Sequence, residues 1–369
     1  MAVNAQYYMH DSDRAALNAL RAIPGFTGLL RAFMKVWNEK QFRIQNLSSC
    51  IRISPRQLPE LYALLPPICE KLGIDIPELY LKLDVNPNAY TYGDTKPFVV
   101  ITSGLLETMP PHLIPTVIAH ECGHIACHHT LYTTMGRIII NGAVSALGLG
   151  QLATLPIQMA FSYWMRCSEY SADRAAIIYD GHAANVVEMC MRFSGLDMNL
   201  GLSLDTDVYL EQALEYRDFI EESKWNQALE YLFLTDVDHP LNVVRAYEAN
   251  EWAKTERFSK MQCYLESGTL ELSLPEYFDE VSVPESAKGY LGKDAQAVRT
   301  ALEQLGFNNI TMVASKERNI LLRPGQVAGI SINGDGNFPA FSWFPTNAEV
   351  IIKYHNPDAS ADPLSFLFG

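Results

Sequence analysis

Two histidines four residues apart lie inside an apolar segment with helical periodicity, residues 117–125. Side chains at this spacing share one face of an α-helix, so His120 and His124 can direct one imidazole nitrogen each at the same metal ion. Glu121 lies beside them, and its carboxylate can take the proton of a water molecule that attacks a carbonyl group at the ion. The pattern therefore predicts a helix that can hold a metal ion, although the bare motif also occurs by chance in proteins without one.

The third protein ligand that a catalytic zinc needs does not come from the same helix. His128 lies two turns beyond His120, about 12 Å along the helix axis, which is too far for both to bind one ion. The extended motif of one large protease class needs glycine at position 127 and histidine at position 130, where this chain has Cys127 and Thr130, so that class is excluded. We interpret His128 and its neighbour His129 as residues that solvate a helix end or donate a hydrogen bond locally.

A better donor lies in residues 167–176. Glu169 and Asp173 are four residues apart and hence share a helix face. Such a pair is usually a solvated surface, but after an HExxH helix it is the expected second half of a metal site. If the two helices pack together, Glu169 supplies the third ligand, and Asp173 orients a ligating imidazole through its other nitrogen.

The pattern of apolar residues predicts an α+β protein with a mainly helical domain over residues 1–266. Residues 1–75 are predicted to be helical, with caps at 11–13 and a new helix start at Ser54. Residues 76–257 are predicted to form the core of this domain. The predicted strands of a small sheet are 79–83, 89–92 and 98–102. The predicted helices of the core are 110–130, 132–147, 155–179, 183–194, 206–232 and 240–257.

The C-terminal part of the chain has a different organisation. Residues 267–286 are rich in acidic side chains and carry two prolines with little periodicity, which predicts a linker. Residues 287–356 are predicted to form a small α+β module, and residues 357–369 a tail. The predicted elements of the module are a helix over 294–305 and strands near 309–314, 326–332 and 349–354.

No charged side chain occurs between Arg137 and Arg166, a stretch long enough to span a bilayer. The stretch also contains polar residues, several glycines and Pro156, which are unfavourable in a membrane span. We therefore predict two buried helices joined near residues 148–156. Membrane association is not favoured, and a membrane-embedded enzyme that uses residues 138–165 as a span is kept as a further hypothesis.

The charge of the chain excludes one class of partner. The sequence has 28 Lys and Arg residues against 42 Asp and Glu residues, a formal net charge of −14. A negative surface repels phosphate backbones, so no nucleic acid is predicted as a partner. The seven cysteines are scattered and include no CxxC pair, which is typical of a reducing compartment. The first residues lack a basic segment followed by an apolar core, and we predict a cytoplasmic location.

The motifs taken together resemble those of one family. HECGH is followed by SEYSAD, and both are preceded by Asn88 and Ala89 and by VVITSGLL at residues 99–106. This combination resembles the gluzincin metallopeptidases of family M48, which include HtpX-like and CAAX-prenyl-protease-like enzymes. The resemblance covers roughly residues 55–257.

The resemblance implies a cofactor and a set of roles. It implies one Zn²⁺ per chain, bound by His120, His124 and Glu169. It also implies that Glu121 is the general base and general acid, and that the strand at 98–102 offers its edge to an extended peptide. The substrate-binding residues implied in this way are Asn88, Ala89, Val100, Ile101 and Thr102.

A later segment adds one candidate catalytic residue. Residues 238–240 read Asp-His-Pro and, with Arg245, resemble the histidine-proline segment of the family. By this resemblance, His239 can donate a hydrogen bond to the tetrahedral oxyanion. The alternative is that His239 caps the helix that starts at Pro240. Both interpretations stay open at this point.

The C-terminal module resembles a PASTA-type repeat at residues 292–294, 302–310 and 323–327, within about 284–356. The resemblance implies a short helix packed on a small sheet. A protein-binding or substrate-selecting role and a purely structural role both stay open for this module.

The sequence thus predicts a zinc-dependent metalloendopeptidase that hydrolyses peptide bonds of protein or peptide substrates. The alternative from another class is a catalytically silent, zinc-containing scaffold whose C-terminal module binds a protein partner. The presence of every catalytic residue type argues against the scaffold, because a scaffold could lose Glu121.

Overall fold

The computed structural model describes residues 1–23, 25–26, 28–30, 33, 40–93, 96–140, 151–196, 204–226, 229–230, 241–268, 280–283, 285–315, 322–338 and 342–356. The chain divides into two compact units. The larger unit comprises residues 1–26 and 32–274, and the smaller unit comprises residues 275–369 together with 27–31. The elements of these units confirm the predicted α+β class with a mainly helical larger part.

The larger unit is built mostly of helices. Two of them show how local chemistry sets helix ends: Pro115 lies in the first turn of one helix, and Gly73 ends another in the left-handed region. In chain order the helices are α1 (Asp11–Ala22), α2 (Lys40–Ser49), α3 (Pro59–Tyr62), α4 (Leu65–Leu72), α5 (Ser103–Thr108), α6 (Ile114–Ala126), α7 (Thr130–Ile140), α8 (Gln151–Asp180), α9 (Ala184–Phe193), α10 (Thr206–Glu221), α11 (Asn242–Trp252) and α12 (Glu256–Ser267).

One sheet of the larger unit lies against α6. Its order is β1-β2-β4-β3, with β2 parallel and β3 antiparallel to β4. The prediction of helical structure through residues 51–53 is wrong, because these residues pair with β2. The predicted helix start at Ser54 is also wrong, because Ser54 forms a β-bridge with Gln57 and the next helix begins at Pro59. The strands are β1 (Ile51–Ile53), β2 (Glu78–Lys82), β3 (Ala89–Tyr92) and β4 (Phe98–Thr102).

Strand β4 is a central strand. All five of its residues are buried, which explains its continuously apolar sequence. It pairs with β2 on one side and with β3 on the other, so both of its backbone edges are occupied. The prediction that the strand at 98–102 pairs with a peptide is therefore wrong. Val100, Ile101 and Thr102 are at most 1% exposed, so their side chains are also shielded from a substrate.

Helices α6 and α8 pack against each other in the middle of the larger unit. The contact is so close that it requires a residue without a side chain. A Cβ atom on Gly123 would lie 2.7 Å from the Ala175 Cβ and 3.0 Å from the Ala172 Cα. Gly123, inside the HExxH motif, therefore sets the separation of the two helices that carry the predicted metal ligands.

The substitution Gly123→Ala is expected to lower the free energy of unfolding by about 1–3 kcal/mol, because the added methyl group overpacks the contact between α6 and α8. The loss is expected even though alanine has the higher helix propensity. Denaturant unfolding measures it, with Gly28→Ala as the control, since a Cβ at Gly28 meets no atom within 4 Å. An unchanged midpoint for Gly123→Ala would show that the two helices can separate freely.

Helix α1 packs along α8 and brings the N-terminal segment onto the central helices. Its cap is His10, whose Nδ1 accepts a hydrogen bond from the backbone N–H of Ser12 at 3.1 Å, so the predicted caps at 11–13 are wrong. The buried face of α1 consists of Asp13, Ala16 and Leu20. A carboxylate on this buried face needs hydrogen-bond donors from its neighbours.

The uncharged stretch at 138–165 contributes the end of α7 and the first half of α8. Residues 141–150 lie outside the described residues, so the predicted joint near 148–156 is only partly described. Pro156 lies inside α8 and not in a connecting turn. Among the residues that are described, no helix is both long enough and apolar enough to cross a bilayer.

The smaller unit is a separate α+β arrangement. Strand β9 lies between β6 and β7, and β5 pairs with β8. The helix and the three strands predicted for this region are confirmed, but β5 lies inside the predicted linker, so that prediction is wrong at 280–283. The likeness to a PASTA-type repeat stays a prediction, and the tail at 357–369 lies outside the described residues. The elements are β5 (Glu280–Val283), α13 (Ala295–Gln304), β6 (Ile310–Ser315), β7 (Val327–Ile332), β8 (Ser342–Pro345) and β9 (Val350–His355).

Candidate metal centre

In the part of the chain that the structure describes, one group of side chains could hold a metal ion: His120, His124 and Glu169. Their donor atoms all lie within 4.8 Å of one another. The Nε2 atom of His120 lies 3.4 Å from Oε2 of Glu169, and Nε2 of His124 lies 3.4 Å from Oε1 of Glu169. The packing of α6 on α8 thus brings together the three residues that the sequence predicts as ligands.

The donor set suits zinc. Two imidazole nitrogens and one carboxylate oxygen form the protein ligands of many catalytic zinc sites, in which a further position stays open for water or substrate. The Nδ1 atoms of His120 and His124 both lie at hydrogen-bond distance from another side chain. Such contacts leave Nε2 directed at the ion, as ligating histidines require.

Asp173 and Arg245 hold His120 from the side opposite the ligand group. The Oδ1 atom of Asp173 lies 2.9 Å from Nδ1 of His120, which is the orienting contact that the sequence predicts. Arg245 of α11 donates to both oxygens of Asp173, at 2.8 Å from Nε and 2.6 Å from Nη2. Its Nη1 atom lies 3.2 Å from Oε2 of Glu169. One buried guanidinium therefore holds both carboxylates of the ExxxD pair.

The sheet orients Glu121. This side chain is 1% exposed, and the hydroxyl group of Thr91 on β3 donates to its Oε2 atom at 2.7 Å. Among the described strands, only β4 pairs with β3, so β3 is an edge strand on the side of the sheet near α6. The carboxylate of Glu121 is thus fixed from the edge strand and lies one residue from the first ligand candidate.

Residues 57–253 match peptidase family M48. The chain belongs to peptidase family M48. It is therefore a metallopeptidase, a hydrolase of peptide bonds. Over 261 residues it is 30% identical to the plastoglobule-localized metallopeptidase 48, chloroplastic, of Arabidopsis thaliana, an alignment that covers 70% of this chain and 76% of that relative. No solved structure matches the chain.

The two histidines of this M48 peptidase differ in their affinity for protons. Burial opposes a charge on His120, but the hydrogen bonds and negative charges of Asp173 and Glu169 outweigh burial and raise the pKa of His120 to about 9. Burial lowers the pKa of His124 from its ordinary value. Burial also acts on Asp173, but Arg245 and His120 outweigh it and lower the pKa of Asp173 to about 2. In the metal-free protein at neutral pH, His120 is thus protonated and His124 is neutral.

The zinc affinity of this M48 peptidase is expected to rise about tenfold per pH unit between about pH 6.5 and 8, because binding must displace one proton from His120. The sign follows from the raised pKa of His120. Displacing its proton costs more free energy at lower pH, and above about pH 9 His120 is already neutral, so the zinc affinity no longer changes with pH. Competition with a chromophoric chelator, corrected for the chelator's own titration, measures the affinity. An affinity that stays constant over this range would contradict the prediction.

The remaining predicted residues have different outcomes. Asn88 and Ala89 lie at the start of the edge strand β3, and their contact with a substrate stays a prediction. His239 lies outside the described residues, so neither of its two interpretations is tested. His129 is 1% exposed and its Nδ1 lies 3.0 Å from Nδ1 of His124, so of its two interpretations the solvated one is wrong and the local side-chain contact is observed.

Sequence reasoning missed four residues of the site: Thr91, Arg245, His129 and Asp13. Arg245 was noted only as part of a family-like segment, and its partner Asp173 is 72 positions away. For the other three, no local pattern marks the residue, because each contact joins elements that only the tertiary fold brings together.

Proposed function

We propose that this M48 peptidase is a zinc-dependent endopeptidase that cleaves peptide bonds in protein or peptide substrates. The observation that carries the proposal is the convergence of His120, His124 and Glu169 within 4.8 Å, with Glu121 next to the first of them. One zinc ion per chain is proposed, because the described residues contain one such group.

The roles of the side chains follow from their contacts. When bound, zinc would polarise the scissile carbonyl group and acidify the attacking water. Glu121, oriented by Thr91, takes the proton of that water and passes it to the nitrogen of the departing chain. Asp173 accepts a hydrogen bond from Nδ1–H of His120 and so keeps Nε2 directed at the ligand position. Arg245 balances the charge of Asp173, which makes burial of that carboxylate tolerable.

The edge strand β3 is the proposed binding edge for the substrate. Thr91 lies on β3 and contacts Glu121, so a peptide that pairs with this edge runs past the general base. Main-chain hydrogen bonds along a strand edge bind many sequences, and the side-chain preference is set by neighbouring surfaces. The substrate edge is thus proposed for β3 in place of β4, because β4 is paired on both sides. A cytoplasmic location stays a prediction from composition.

The test of the proposed function is a digestion of unfolded polypeptides by purified protein of known zinc content, with the products identified by mass spectrometry. New internal termini are expected with the zinc-loaded protein. They should be absent after chelation and return when zinc is added back. Zinc-loaded protein that leaves every unfolded polypeptide intact would favour the silent scaffold.

The substitution Glu169→Ala is expected to weaken zinc binding by more than the roughly 10- to 100-fold that is typical of outer hydrogen-bond partners, because it removes the anionic ligand itself. Metal analysis after dialysis against a weak chelator measures the loss. Glu107→Ala, which changes an exposed glutamate of α5, is the matched control. Undiminished zinc content in Glu169→Ala would place the third ligand elsewhere.

A further inference from the structure

His129 lies directly behind the second ligand candidate. Helix α6 ends at Ala126, and His128 adopts the left-handed conformation with φ of 57°. This turn lets the backbone N–H of His129 donate to the carbonyl oxygen of His124 at 2.9 Å. The turn thereby folds the ring of His129 back onto the ring of His124, and the two Nδ1 atoms lie 3.0 Å apart.

The second nitrogen of His129 is bound to a carboxylate from helix α1. The Nε2 atom of His129 lies 2.9 Å from Oδ2 of Asp13. Asp13 is 1% exposed, and it accepts two further hydrogen bonds from α8, from Oγ of Ser171 at 2.5 Å and from Nε1 of Trp164 at 2.9 Å. Three donors therefore satisfy one buried carboxylate, as burial of its charge requires. Because both ring nitrogens of His129 are engaged, His129 is not itself a metal ligand.

The proton positions in this chain of contacts follow from a single requirement. A histidine that binds a metal through Nε2 carries its proton on Nδ1 and donates it. If His124 donates from Nδ1, then Nδ1 of His129 must accept, and the proton of His129 lies on Nε2. That Nε2–H faces the carboxylate of Asp13, which can only accept. Every donor thus meets an acceptor when Nε2 of His124 faces a metal.

We propose that Asp13 and His129 form a positioning relay that holds His124 in its metal-binding orientation and strengthens it as a ligand. The relay rests on the proposed zinc site. Ordinarily a carboxylate contacts the ligating imidazole directly, as Asp173 contacts His120 here. On the side of His124, a second imidazole lies between the carboxylate and the ligand. Asp13 lies outside residues 57–253, the part of the chain that matches the family, so helix α1 completes a metal centre whose ligands lie in the matched part.

The experiment measures zinc affinity by competition with a chromophoric chelator in the full chain and in three variants. Asp13→Asn keeps the shape of the side chain and removes its charge. His129→Leu removes both contacts of the imidazole. His129→Gln offers an amide oxygen to His124 and an amide N–H to Asp13, so it can replace both contacts. Thermal unfolding of the metal-free proteins, recorded in parallel, separates a loss of zinc affinity from a loss of fold.

The matched control is Asp180→Asn. Asp180 is a half-buried carboxylate of α8 that accepts from Oγ1 of Thr116 on α6 at 2.8 Å, so it joins the same two helices without contacting a ligand candidate. The same change of residue type, at a carboxylate that also bonds to a side chain outside its own helix, should leave zinc affinity unaltered. This control accounts for the general effect of losing a carboxylate that joins α8 to a neighbouring helix.

The relay predicts that Asp13→Asn and His129→Leu raise the dissociation constant for zinc by about 10- to 100-fold, with most of the affinity restored in His129→Gln. Two results would overturn it. One is a zinc affinity within about twofold of wild type in both Asp13→Asn and His129→Leu. The other is an equal loss of zinc affinity in His129→Leu and His129→Gln that is proportional, across the variants, to the loss of stability of the metal-free protein. A wild-type chain that fails to bind zinc would instead overturn the proposed function and the relay with it.

Discussion

The variant Glu121→Gln is expected to lose about 10²- to 10⁴-fold in kcat/KM while its zinc content stays unchanged. Glutamine has nearly the same shape as glutamate and can still accept the hydrogen bond from Thr91, but its amide cannot take a proton from water. Because Glu121 is not among the three side chains that converge on the ligand position, metal binding should survive. Steady-state cleavage of a peptide found in the digestion, together with metal analysis, checks both parts of the prediction.

The control for this variant is Glu107→Gln, which makes the same change at an exposed glutamate and should leave kcat/KM unaltered. Turnover near the wild-type rate in Glu121→Gln would remove Glu121 from the role of general base. A simultaneous loss of zinc would mean that the substitution had disturbed the ligand group, and the kinetic result would then have to be repeated with zinc in excess.

The variant Arg245→Met is expected to lower the free energy of unfolding by about 3–5 kcal/mol, because it leaves the carboxylate of Asp173 buried without its bidentate partner. Methionine fills much of the volume but carries no charge. In a chain with a metallopeptidase unit of this size, such a loss corresponds to a drop in Tm of roughly 6–20 °C. Chemical denaturation of the metal-free protein measures it.

Two further variants sharpen this test. Arg217→Met removes an arginine that is paired with Glu248 at 3.2 Å but is substantially exposed, and exposed pairs contribute less than about 1 kcal/mol. The double variant Arg245→Met with Asp173→Asn should recover part of the loss, because the buried charge is then removed with its partner. A stability change below about 1 kcal/mol in Arg245→Met would show that water reaches Asp173 once the arginine is gone.

The ligand group could be predicted from the sequence because each half of it is local. Spacing of four residues places His120 above His124, and the same spacing places Glu169 above Asp173. Strands β3 and β4 were also predicted with their observed limits, since alternation and continuous apolar runs are local signals. That α6 packs against α8 is not a local signal and had to be inferred from the pairing of the two motifs. The close contact at Gly123 explains how the two helices come near enough for their side chains to share one ion.

The rest of the site depends on pairings that no local pattern specifies. The order of strands in a sheet is set by long-range packing, so the family resemblance assigned the substrate edge to the strand at 98–102, whereas among the described strands β3 lies at the edge of the sheet. A buried aspartate in the first turn of α1 resembles an ordinary helix-capping residue until its partners are known. His129 likewise resembles a polar residue at a helix end, although the αL turn at His128 directs it inward.

The position of Asp13 also bears on how the chain reaches its native state. The hydrogen bond from Ser171 to Asp13 joins residues separated by 158 positions. The buried carboxylate of α1 therefore gains its donors only after α1 has packed against α8. Contacts between such distant segments form slowly, because the chain loses loop entropy before the contact stabilises it. Helix α6 can form from local contacts, whereas the full set of bonds around His124 requires α1 to dock. The metal site should therefore reach its full zinc affinity only late in folding, after α1 has docked.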